Sequence, residues 1–83
     1  MTKTLHRGDY QVVISPKGRD MNSKRTFDVF IYQFYENRAI SSKKCICIGA
    51  LPELERWFDK VENIEQILSS GAGKFCFELV PVF

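Results

Sequence analysis

One histidine and one tryptophan stand among the 83 residues of this chain, and its cysteines number only three. His6 has no neighbour that pairs with it as nucleophile and base. Half of the ten acids fall on the solvent side of a helix, so no convergent catalytic set is in view and an enzyme is not expected. An odd cysteine count without an export signal argues against a disulfide framework. No apolar run approaches the ~20 residues that span a bilayer. The segment Met1-Thr2-Lys3-Thr4-Leu5-His6-Arg7 also lacks the apolar core of a signal peptide, so a cytoplasmic location and no membrane partner are expected.

Two further motifs fall short. Cys45, Cys47, Cys76 and His6 formally supply four metal ligands, but a single residue separates the first pair where a zinc knuckle has two or more. The cysteines read as small thiols filling a sheet face, and neither metal nor cofactor is expected. Ser70-Gly71-Ala72-Gly73-Lys74 looks like the end of a phosphate-binding loop. However, Leu68 replaces its first glycine, Phe75 its hydroxyl residue, and a strand pattern follows where a helix belongs.

What is present is aromatic. Seven Phe, three Tyr and one Trp within 45% apolar residues describe one globular domain, residues 1–83, with a core built from a few large side chains. The net charge of +2 conceals an asymmetry: residues 1–44 carry nine Lys or Arg against four acids, residues 45–83 three against six. Basic strand and loop regions and an acidic helix are expected.

Tyr10–Ile14 reads as a strand stopped by Ser15-Pro16, and residues 16–26 as a polar loop carrying Lys17, Arg19, Lys24 and Arg25. A long strand follows to about Glu36, then a turn at Asn37-Arg38 and a third strand around Cys45–Ile48. Leu51, Leu54, Trp57, Phe58, Val61, Ile64 and Leu68 recur at three- and four-residue steps and predict a helix from Pro52 to Leu68, with Asn63 as a place where it could break. Gly71 suits a left-handed cap, and Phe75–Val80 forms a last strand ending at Pro81. The expected fold is α+β: a four-stranded, mostly antiparallel sheet with one helix packed on one face, in the order β-β-β-α-β. Its helix-covered face would bury Val12, Ile14, Phe27, Val29, Ile31, Ile46, Ile48, Phe75, Phe77 and Leu79.

The strand Phe27–Tyr35 is apolar on both faces, with Phe27, Val29, Ile31 and Tyr35 on one side and Asp28, Phe30, Tyr32 and Phe34 on the other. The second side, joined by Cys45, Cys47 and Cys76, would stay open unless a partner, a copy of the chain or a terminal segment covers it. The candidate contact residues are Phe30, Tyr32, Phe34 and Tyr35, with Lys17, Arg19, Arg38 and Lys44 steering the approach. The expected partner is a protein or nucleoprotein complex. Single-stranded nucleic acid stacked on Phe30, Tyr32 and Phe34 is the alternative, and a homodimer is a third.

Tyr35-Glu36-Asn37, Leu54-Glu55-Arg56-Trp57-Phe58 and Ile64-Glu65 together resemble small phage-encoded anti-CRISPR inhibitors. That resemblance implies a sheet-plus-helix inhibitor that docks on a bacterial surveillance complex and blocks target DNA hybridisation, with Tyr35 matching an interface tyrosine. Lys43-Lys44-Cys45-Ile46-Cys47-Ile48 followed by Glu53-Leu54-Glu55-Arg56-Trp57 is similar to the last strand and helix of whirly-like transcriptional coactivators. This second resemblance implies single-stranded DNA binding and a dimer that pairs helices.

Overall fold

The computed structural model describes residues 2–19, 21–71 and 75–81, with residues 77–81 described as strand only. Strands β1 (Lys3–Arg7), β2 (Tyr10–Arg19), β3 (Arg25–Tyr35) and β4 (Arg38–Ile48) follow one another. Helices α1 (Leu51–Phe58) and α2 (Val61–Ser70) come next, and β5 (Cys76–Pro81) ends the series. All neighbouring strands pair antiparallel in the spatial order β1-β2-β3-β4-β5. The expected four strands and single helix are therefore corrected to five strands and two helices, although strands and helices remain segregated as in an α+β fold.

Turn chemistry sets the hairpins. Arg7 pairs with Tyr10 around Gly8-Asp9, and Gly8 at φ 57° supplies the left-handed first position that a tight hairpin of this type requires. Tyr35 pairs with Arg38 around Glu36 and Asn37, both at positive φ, which is the two-residue turn whose twist matches the flanking strands. Strand β2 also continues through Pro16, where polar composition had suggested a loop, by means of a register shift between Pro16 and Gly18.

The helical stripe divides earlier than Asn63. Asp59 ends α1 and Lys60 opens α2, while Asn63 Nδ2 donates to the Trp57 carbonyl at 2.8 Å and satisfies an acceptor left over at the α1 terminus. An ion pair from Arg7 to Asp59 ties the end of β1 to this joint. Gly71 closes α2 in the left-handed conformation, its N–H donating to the Ile67 carbonyl at 2.8 Å. Leu54, Phe58, Ile64 and Ile67 are fully buried and pack with Val12, Ile14, Phe27, Val29, Ile31, Cys45 and Cys47 of the sheet.

That core overturns one assignment. Cys45 and Cys47 lie beneath the helices, whereas Ile46 and Ile48 fall on the opposite side of β4. The cause is one extra residue. Tyr35 pairs with Arg38 and Phe34 with Ala39, but Gln33 pairs with Ser41, so Ile40 has no counterpart. Without this bulge Cys45 would stand opposite Asp28. With it Cys45 stands opposite Val29, and every later side chain of β4 changes face. Phe75 is half-buried ahead of β5, edge-on to Trp57 with ring centroids 6.3 Å apart. The expected burial of Phe77 and Leu79 lies outside the described residues.

Candidate functional site

The face of the sheet opposite the helices carries no second layer among the described residues. Both β1 and β5 lie in the plane of the sheet as its edges, so neither of these outermost strands folds over it. Strand alternation brings Phe30, Tyr32 and Phe34 into one row along the central strand, all half-buried. Val13 and Lys44 flank Phe30, and Gln11 and Ser42 flank Tyr32. Ile46, opposite Asp28, extends the patch toward one end of the row.

Two polar groups on this face are incompletely satisfied. Asp28 Oδ1 is shielded from solvent and has no hydrogen-bond partner; its nearest cation is Lys44 Nζ at 3.7 Å. The hydroxyl of Ser42 is likewise buried and unpartnered. Buried polar atoms in folded proteins are paired in the great majority, and an orphan costs about 1–3 kcal/mol. Neither atom finds a hydrogen-bond partner among the described residues.

The proposed contact residues do not all converge. Phe30, Tyr32, Phe34 and Lys44 share the open face. Tyr35 alternates to the other face and stands exposed beside the β3–β4 turn, beyond the helical layer, with Arg38 as its cross-strand neighbour. Lys17 and Arg19 sit at the far end of β3, a strand of eleven residues and so roughly 35 Å long. Gln11, Val13, Asp28, Ser42 and Ile46 belong to the patch without having been singled out. The alternation of Val12 and Ile14 in β2 already implied Val13, but nothing in β4 revealed its phase.

Chemistry elsewhere is sparse. Among the described residues, the one group of three or more His, Cys, Asp or Glu placed to share an ion is Cys45, Cys47 and Cys76. His6 is exposed on edge strand β1 and does not join it. A cleft of about 590 Å³ on the helical side is lined by Glu53, Arg56, Asp59 and Lys60 with the edges of Trp57 and Phe75, and its charges alternate in sign. No described helix is long and apolar enough to cross a membrane.

Together these features define an antiparallel sheet, layered by two helices on one side and without a second layer among the described residues on the other, with an aromatic row down its middle strand. No protein-family model, curated protein or solved structure matches the chain.

Proposed function

We propose that the protein is a binding module without catalytic activity, and that its open sheet face docks on a folded protein surface. The observation behind this proposal is the row Phe30, Tyr32 and Phe34 on an unlayered face, interspersed with the unpartnered Asp28 and Ser42 oxygens. Clustered aromatic anchors with a few polar groups among them are the composition of an interface centre. An inhibitor of the small phage-encoded type, covering a surface on a nucleoprotein assembly, is the form of this function that the resemblance adds.

Nucleic acid is the second reading, favoured by Lys17, Arg19, Lys24 and Arg25 around one end of the β2–β3 hairpin. Against it, Lys44 beside the rings is ion-paired with Asp28, and a carboxylate in the middle of the face repels phosphate. A base-stacking platform needs cations along the strand path, whereas these lie at its ends.

The discriminating experiment replaces Tyr32 with a photo-crosslinking amino acid in the producing cell. The expected product is a crosslink to a foreign protein, lost when Phe34→Asp is added in a variant that keeps its circular dichroism. Crosslinks to single-stranded nucleic acid, or only to a second copy, would overturn the protein-docking proposal.

A further inference from the structure

Three sulfur atoms meet beneath the sheet. The Sγ atoms of Cys45, Cys47 and Cys76 all lie within 4.8 Å of one another, and those of Cys45 and Cys47 are 3.7 Å apart. A cation bound by sulfur at about 2.3 Å in a tetrahedral arrangement sets neighbouring sulfurs about 3.8 Å apart. The spacing of the first pair is therefore already that of a coordination edge.

Two independent backbone irregularities produce the convergence. The extra residue Ile40 turns Cys45 and Cys47 to the inner face of β4. A second register shift separates the pairs Ile46–Glu78 and Cys47–Cys76, leaving Phe77 as the extra residue of β5. In an unbroken ladder Phe77 would oppose Cys47; the bulge sets Cys76 there instead. Packing small thiols into a core requires neither irregularity, since single buried cysteines fit most sheet faces.

We propose that Cys45, Cys47 and Cys76 form a tris-thiolate site for a thiophilic d10 cation, Zn(II) or Cu(I), which staples β5 to β4. Soft thiolates select these ions, and no described histidine or carboxylate joins the cluster to favour a harder one. Cys45 and Cys47 are fully buried, whereas Cys76 is half-buried, so the entry path and any fourth ligand lie on the β5 side. Lys43 shares the inner face two residues before Cys45. On binding, each S–H bond gives way to a metal–sulfur bond and the proton leaves to buffer; no electrons are transferred. The site is independent of what the open face binds.

The test titrates the metal-stripped, reduced full chain anaerobically with Zn(II), and separately with Cu(I), against a chromophoric chelator of micromolar affinity. Native mass spectrometry reads the stoichiometry. One ion per chain is expected with at least one of the two metals, together with a Tm rise of several degrees and slowed alkylation of all three thiols. Cys76→Ser, at the half-buried position, should abolish all three effects while its circular dichroism is retained. If that variant does not fold, metal protection of the wild-type thiols from alkylation decides alone. Failure of both metals to compete with the chelator, equal binding by folded Cys76→Ser, or unprotected thiols in the metal-loaded chain would overturn the site.

Discussion

At Cys47 the folded chain holds a proton far more tightly than water does. A hydrogen bond from Cys45 lowers its pKa, but a bond to Cys76 and burial outweigh it, and the thiol is pushed up to about 12. Cys45 is raised as well, by its hydrogen bonds to Cys47 and Cys76 and by burial. An unfolded thiol titrates near 8.5, so the folded values lie above the unfolded ones. The stability contributed by the protonated thiols is complete below roughly pH 8.5 and is lost as the pH climbs toward about 12. In metal-free protein, the urea midpoint should hold from neutrality to about pH 8 and fall above about pH 9. Cys47→Ala should make that fall shallower, which urea titrations at several pH values would show. Asp28 offers a second test at this scale. Its shielded, unbonded oxygen costs stability that the 3.7 Å approach of Lys44 offsets only in part. Asp28→Val, a residue that suits strands, should therefore stabilise the chain by about 0.5–1 kcal/mol in urea unfolding. A loss of stability would show instead that the ion pair outweighs the orphan oxygen.

Among the elements, β4 shows what a one-residue bulge decides. Deleting Ile40 would restore an uninterrupted ladder from the Glu36-Asn37 turn with Ser41 still opposite Gln33 and Cys45 still opposite Val29, so every later side chain of β4 keeps its face. The cysteines should therefore stay slow to alkylate, and urea unfolding should show a cost near the ~1 kcal/mol usual for a single change. The inversion of β4 explains why its phase was illegible in the sequence. Cys45-Ile46-Cys47-Ile48 is apolar at every position, so alternation carries no information about faces, and the exposed Ile40 bears no signal of a bulge. By contrast, Phe30, Tyr32 and Phe34 were legible as a row because they share a face regardless of register. The first strand carries no alternation signal, because Leu5 is its only apolar residue. The helix break was masked for a different reason: Phe58, Val61 and Ile64 keep helical spacing across it, and Lys60 opens α2 without a side-chain cap. What secures the break is Asn63, whose side chain holds the Trp57 carbonyl. Asn63→Ala should cost about 1 kcal/mol in thermal or urea unfolding with little change in helical dichroism.

Over the whole molecule, charge follows the layers. The helices and their joint carry Glu53, Glu55, Asp59, Glu62 and Glu65 against Arg56 and Lys60, while most basic residues lie on the strands and hairpin ends. With charge divided in this way, the docking proposed above predicts that the sheet side turns toward an acidic surface and the helices away from it. On the proposed docking, orientation would govern the association rate and the aromatic row how long the complex lasts. These contributions separate experimentally once the protein crosslinked through position 32 is known. Raising salt should slow association of the wild-type chain and leave dissociation nearly unchanged. Phe34→Ala should do the reverse, accelerating dissociation by tenfold or more, as expected when a central anchor worth about 2 kcal/mol is removed. Glu62→Lys with Glu65→Lys, on the helical layer, should alter association alone. Surface plasmon resonance at two salt concentrations reads all three. Faster dissociation in the helix variant, with none in Phe34→Ala, would move the interface to the helical side and leave the open face to self-association. Light scattering would then have to give twice the 9.6 kDa mass of one chain.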